Sequence, residues 1–217
     1  MHAGLHYGVD VEIEWIASED IETFGCERYL DGLSGVVVPG GFGYRGVEGM
    51  IQTVKYCREN NVPYLGLCLG MQVMVIEGAR NLLGKELANS TEFDLDTPDP
   101  VIDIMPDQVG VTEKGGTMRL GEYPCVVSEG SMIERAYGKS MIMERHRHRY
   151  EFNNSYRDEF NSVGLIQTGL SPDGQLVEIV EIKGHKFMAG TQFHPEFLSR
   201  PTNPHPLFKE FVKSVSG

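Results

Sequence analysis

"GVVVPGGFGYRGVEGMIQTVKYCRENNVPYLGLCLG", residues 35–70, decides the fold. "GVVVPG" and "VPYLGLCLG" are short continuous apolar runs bounded by turn residues, the pattern of parallel strands covered on both faces. Between them Val47, Met50, Ile51, Val54 and Cys57 recur at helical spacing. Strand, helix, strand in that order makes a right-handed crossover unit, so the region is α/β.

The flanks extend this reading. Upstream, "VEIEWI" (11–16) turns Val11, Ile13 and Trp15 one way and Glu12 and Glu14 the other, which predicts a strand. Downstream, "FDLDTPDPVIDIMPD" (93–107) reads as loop with one short strand near Val101 to Ile104. "TMRLGEYPCVV" (117–127), "NSVGLIQTGL" (161–170), "LVEIVEI" (176–182) and "KFMAGTQF" (186–193) read as strands, the last two joined as a hairpin through "KGHK". "SMIERAYG" (131–138) is a helix with a Ser131 to Glu134 capping box and Gly138 as its stop. "PLFKEFVKSV" (206–215) closes the chain as an amphipathic helix. No internal repeat, linker or low-complexity segment interrupts the 217 residues, and one domain is expected.

Lys plus Arg at 19 against Asp plus Glu at 31 leaves a net charge of -12, which repels polyanions and argues against nucleic acid or an anionic membrane surface as main partner. Cys26, Cys57, Cys68 and Cys125 have no C-x-x-C spacing, so reduced thiols fit better than a disulfide framework or a metal site. The opening residues carry no signal-peptide pattern and no run approaches eighteen apolar residues, so the chain reads as soluble and unexported.

Gly41, Gly43 and Gly46 spell G-x-G-x-x-G, but a dinucleotide site needs an acidic residue near the end of the next strand, where Cys68 stands. Pro39 also occupies the start of the fingerprint's turn. "GKS" at 138–140 fails as a phosphate loop because Ile133 holds the position of its first glycine. "GLCLG" (66–70) instead has the form of a nucleophile elbow with cysteine in place of serine. Cys68 then sits at a helix N-terminus, where the dipole and unpaired amides favour the thiolate. A buried core cysteine is the alternative reading. In "TQFHPEF" Pro195 pushes His194 extended, and residues i and i+2 of an extended segment project to one side with Cα atoms roughly 6 to 7 Å apart. Glu196 is thereby placed to orient the His194 imidazole toward a nucleophile.

"PGGFGYRG", "PYLGLCLGMQ" and "GTQFHPEF", in this order and separation, resemble the class I, or triad, glutamine amidotransferases. "ANSTEF" (88–93), "GGTMRLGE" (115–122), "ERHRHRYEFN" (144–153) and "HPEFLSRP" (194–201) resemble specifically the C-terminal glutaminase domain of CTP synthase. The resemblance implies a flavodoxin-like, mostly parallel sheet with helices on both faces and an antiparallel addition. It implies Cys68, His194 and Glu196 as the catalytic residues, and Gly41 and Leu69 as amide donors of an oxyanion hole. Gly41, Gln72, Glu92, Arg149 and Tyr150 line a site for L-glutamine, with Glu92 accepting its ammonium. Phe42, Gly43, Arg45 and Gly46 form a lid. No cofactor or metal is expected in this domain. ATP and Mg are implied for a separate synthetase domain, GTP as an activator, and a homo-oligomer in the cytoplasm for the full enzyme. Another triad hydrolase acting on γ-glutamyl compounds and a non-catalytic regulatory module are the alternatives.

"HAGLHYGVD" (2–10) resembles the tail of the family's first helix and its lead into the second strand. Residues 1–217 are therefore expected to form one domain lacking the family's first strand and most of its first helix. In the order 2-1-3-4-5 that strand lies inside the sheet. The expectation is a gap filled by an upstream segment, or by some other segment or molecule, unless Val11 to Ile16 pairs directly with Gly35 to Val38.

Overall fold

The computed structural model describes residues 1–104 and 118–216. Three short helices, α1 (His2–Tyr7), α2 (Ser18–Phe24) and α3 (Glu27–Leu30), precede β1 (Val36–Val38), α4 (Val47–Glu59), β2 (Tyr64–Leu67) and α5 (Leu69–Asn81). Then come β3 (Asn89–Ser90), β4 (Pro100–Ile104), β5 (Arg119–Val127), α6 (Met132–Tyr137), β6 (Met141–His148) and β7 (Tyr150–Phe152). The chain ends with α7 (Arg157–Ser162), β8 (Leu165–Leu170), β9 (Val177–Ile182), β10 (Met188–Thr191) and α8 (Pro206–Val215).

The larger sheet runs β1-β2-β10-β9-β8-β5-β6. β1, β2 and β10 are parallel, with Val36 beside Tyr64 and Met188 on the other side of Tyr64. β9, β8, β5 and β6 continue antiparallel from β10 and form the expected addition. One face packs Val38, Val54, Met71, Met74 and Phe160 with α4 and α5. The other packs Leu65, Phe187, Phe193 and Leu207 against α6 and α8. This double covering is why "YLGL" is apolar on successive residues rather than on alternate ones, whereas in "VVV" the expected covering fails, since β1 lies at the sheet edge with Val37 exposed and only Val38 buried. α5 is buried from Leu69 to Ala79, and contacts β1, β2 and β10 as well as the small sheet β3-β4-β7.

Local chemistry sets the element ends. The Ser131 hydroxyl accepts from the Glu134 amide at 3.0 Å, and Gly138 closes α6 in the left-handed region at φ 67°. Val101 to Ile104 is a strand as expected, in the small sheet, where it pairs with β7. Part of "GGTMRLGE", residues 115–117, lies outside the described residues, and the strand there is described from Arg119.

The strand expected over Val11 to Ile16 is not formed. The segment has no ladder partner, and Trp15 is 88% exposed. Alternation fixes only which way side chains face, whereas a strand also needs a neighbouring edge to pair with. β1 does not supply that edge, since its one partner among the described residues is β2. No helix among the described residues is long and apolar enough to cross a membrane.

Candidate active site

Cys68 joins the end of β2 to the start of α5 with φ 52° and ψ −100°, one of two non-glycine residues with positive φ among the described residues. Such a conformation costs on the order of 1–3 kcal/mol and persists only where the surroundings fix it. The Cys68 amide donates to the Thr191 carbonyl at 2.7 Å, and its carbonyl accepts from the Gln72 amide at 3.1 Å. Glycines let the backbone turn this tightly. A Cβ on Gly66 would lie 2.5 Å from the Gly70 carbonyl carbon, and one on Gly70 would overlap the Val38 carbonyl oxygen. Leu69, the first residue of α5, has no intrahelical acceptor for its amide.

His194 follows β10, and its amide donates to the Arg145 carbonyl of β6 at 2.8 Å. Its Nδ1 lies 2.6 Å from Glu196 Oε1. His194, at φ −113° and ψ 85°, avoids the helical region before Pro195 without being fully extended, and Pro195 to Phe197 form a single 3₁₀ turn. That turn, rather than a continued extended run, carries Glu196 back onto the ring. Phe197 stacks on the imidazole with centroids 4.9 Å apart and planes at 17°. Gly40 makes room on the nucleophile side: a Cβ there would sit 2.7 Å from His194 Cε1 and 3.5 Å from Cys68 Cβ.

These contacts leave Cys68 and the buried Nε2 of His194 on one side of the ring and the half-exposed Glu196 on the other. Burial opposes charge on His194, but the neighbouring Cys68 and the hydrogen-bonded Glu196 together raise its pKa to about 9. Burial pushes the Cys57 thiol the other way from reactivity, up to about 12, and also raises those of Cys26 and Cys125.

Of the other candidates, Gly41 and Gln72 are joined to this centre by contacts. Gly41 follows β1, and a Cβ on it would meet Leu69 Cδ2 at 3.0 Å. Glu92, in the loop after β3, accepts from the Gly43 amide at 3.0 Å and so ties the glycine loop to "STEF". Burial first, and then the Glu92 carboxylate, raises the Tyr150 phenol, with Arg149 opposing, which puts these three in one electrostatic neighbourhood. Gln72 lies one turn into α5, and its amide nitrogen donates to the Tyr150 carbonyl at 3.1 Å. In the loop, Phe42 is exposed beneath the Arg147 guanidinium at 5.6 Å, and Arg45 pairs with Glu19 of α2 at 2.8 Å. Gly46 caps the start of α4 at φ 71°.

Beside this geometry, the chain matches the family described as "Glutamine amidotransferase class-I" over residues 1–214. The chain belongs to the class I glutamine amidotransferases. The glutaminase domain of Trypanosoma brucei CTPS, solved with bound acivicin, superposes with a TM-score of 0.92 at 36% identity, covering 99% of this chain and 84% of that one. CTP synthases of Dehalococcoides mccartyi and a Roseiflexus species are each 62% identical over 99% of this chain, which spans 39% of their length. A glutamine amidotransferase from Thermotoga maritima, at 16% identity and TM-score 0.52, shares the fold. Within its family the chain is a glutamine amidotransferase domain of the CTP synthase type.

Three residues of this amidotransferase site escaped the sequence reading. Gly40 stands inside the quoted "PGGFGYRG" without a pattern of its own, yet its missing side chain is the space His194 fills. Gln192, inside the quoted "TQFHPEF", places its amide nitrogen 3.6 Å from Cys68 Sγ. Arg147 of "RHRHR" covers Phe42, so that run is neither wholly surface nor wholly pocket.

Proposed function

We propose that the domain hydrolyses the side-chain amide of L-glutamine through a thioester on Cys68. The observation that carries this reading is the strained elbow at Cys68 beside a His194 whose far nitrogen is held by Glu196 at 2.6 Å. The thiolate attacks the carboxamide carbon while the amides of Gly41 and Leu69 receive the developing oxyanion. The His194 cation then gives its proton to the departing ammonia. Acylation removes the thiolate charge, one of the causes holding a proton on His194, so the neutral ring is free to take a proton from the water that cleaves the thioester. Glu92, Arg149 and Tyr150 hold the amino-acid end of glutamine, and Gln72 lines the pocket. Phe42, Gly43, Arg45 and Gly46 form its lid.

Ammonia passes to a synthetase domain that uses ATP and Mg to convert UTP to CTP, with GTP as activator and a cytoplasmic homo-oligomer as the working enzyme. The support is the 62% identity to CTP synthases over this chain. An electrophilic glutamine analogue should label Cys68 alone among the cysteines, mapped by mass spectrometry. Labelling elsewhere, or no protection by glutamine, overturns the assignment.

The pH dependence follows from His194. With its pKa raised to about 9, the cation and its pairing with Cys68 and Glu196 are intact below the ordinary histidine range and are lost as pH rises through about 9. Glutaminase activity should therefore fall above about pH 9. Glu196→Gln removes one hydrogen-bonding and charge partner, and should move that alkaline limb to lower pH while sparing much of kcat. A limb that stays in place in the variant would assign it to another group.

A further inference from the structure

Gln192 is fully buried just beyond β10, its amide N–H held by the Glu178 carbonyl at 2.8 Å. Its side chain bridges two partners: Nε2 is 3.6 Å from Cys68 Sγ, and Oε1 accepts from Gln72 Nε2 at 3.2 Å. The direction of this chain is fixed by its far end. Gln72 Nε2 also donates to the Tyr150 carbonyl at 3.1 Å, and a carbonyl only accepts. Both protons of the Gln72 amide are thus assigned, one to Tyr150 and one to Gln192 Oε1. Gln192 is left with its donor facing the sulfur and no freedom to present its oxygen instead.

The Tyr150 carbonyl is itself fixed from the opposite side. His148 Nδ1 lies 3.1 Å from it and His146 Nδ1 lies 3.1 Å from His148 Nε2, so both rings donate from Nδ1 and His148 accepts at Nε2. Burial, then the Arg119 charge, lowers both histidines, to about 2 for His146 and about 3 for His148, and keeps both neutral donors of this one tautomer. The row ends at Glu178, whose Oε2 is 3.6 Å from His146 Nε2 and whose Oε1 meets Arg119 at 2.7 Å.

We infer that Gln192 is a further catalytic residue, its side-chain N–H donating to the Cys68 thiolate, and that Gln72 and the Tyr150 carbonyl are positioning groups that hold that donor toward the sulfur. A charged acceptor gains more from such a donor than a neutral thiol does, so the bond favours the attacking form. His194, oriented by Glu196, is the charged group beside the same sulfur, and the Arg147 carbonyl, 3.9 Å from Sγ, accepts from the thiol form only. The inference rests on Cys68 being the nucleophile, and the test separates the two.

Iodoacetamide alkylation of Cys68, followed against pH and mapped by mass spectrometry, reads the thiolate without any assumption about substrate. Gln192→Met, which keeps the length and removes the donor, should move the alkylation profile to higher pH and slow the reaction at pH 7 about tenfold. It should lower kcat for glutamine to a similar degree, with KM changed less than about twofold. Gln192→Glu, which turns an acceptor toward the sulfur, should do more. A folded Met variant with the unaltered profile and kcat overturns the inference. Should the variants not fold, the unsubstituted domain still decides. With ¹⁵N-labelled glutamine side chains, the resonances of a buried amide should titrate together with Cys68 alkylation reactivity, and no such titration is the contrary result. An intact alkylation shift with no glutamine turnover in the unsubstituted domain would leave Gln192 assigned and remove glutamine as the substrate.

Discussion

Cys68→Ser should abolish glutamine hydrolysis, with a loss on the order of 10⁴-fold or more, while far-ultraviolet circular dichroism and the melting temperature remain close to those of the unsubstituted domain. The replacement is nearly isosteric at a site whose backbone is set by the Thr191 carbonyl, Gly66 and Gly70 rather than by the side chain. What changes is the nucleophile: a hydroxyl at this position has no accessible anion, and the elbow's amides and His194 are arranged around a sulfur. Cys26→Ser is the control. That thiol lies against Ile21 and Leu30, far from the elbow in the fold, and burial raises its pKa, so its loss should leave turnover intact. Steady-state glutamate release measures both variants, and turnover within a factor of ten in Cys68→Ser would remove Cys68 from the chemistry.

The parts of the site legible in the sequence are those whose constraint is local. "GLCLG" requires its glycines because strand and helix meet within five residues, and "HPE" places a carboxylate beside a histidine through the proline between them. The crossover unit around residues 35–70 is legible for the same reason, since β2 is covered on both faces and reads apolar throughout, and α4 before it keeps its helical spacing. β6 was illegible as a strand because its buried positions are Ile142, Glu144, His146 and His148, while Met141 and Met143 face outward. A hydropathy reading inverts when the buried face is a hydrogen-bonded polar row. Glu144 is held there by His205, 61 residues away, at 2.9 Å and by the Tyr137 hydroxyl of the preceding helix at 2.6 Å. Val11 to Ile16 errs in the opposite direction, with a strand's alternation and no edge to join. Gln192 carries no pattern at all, since its meaning comes from Gln72 and Tyr150, 120 and 42 residues away.

Gly70→Ala should destabilise the domain and cripple it together, because one added methyl strikes the junction on which both depend. The new Cβ overlaps the Val38 carbonyl oxygen and comes within 3.2 Å of the Val38 Cβ, and both belong to β1, whose backbone is paired with β2 and has little freedom to yield. Relief requires α5 to move away from the sheet, yet α5 is buried over nearly its whole length and packs on β2, β10 and the small sheet. Overpacking against backbone in so closed a setting costs about 3 kcal/mol, toward the upper end for small-to-large changes, or roughly 6–12 °C in melting temperature for a chain of this size. The chemical cost follows from where the displaced atoms lie. Leu69 starts α5 and Gly41 follows β1, so separating helix from strand separates the two amides proposed to hold the oxyanion. A misplacement near 1 Å is enough for about 10²-fold in rate. The expected signature is a kcat that stays depressed at temperatures well below the lowered melting point. Full kcat in a destabilised but folded Gly70→Ala would show that the helix and strand move as one body, and that the methyl is absorbed without disturbing the elbow.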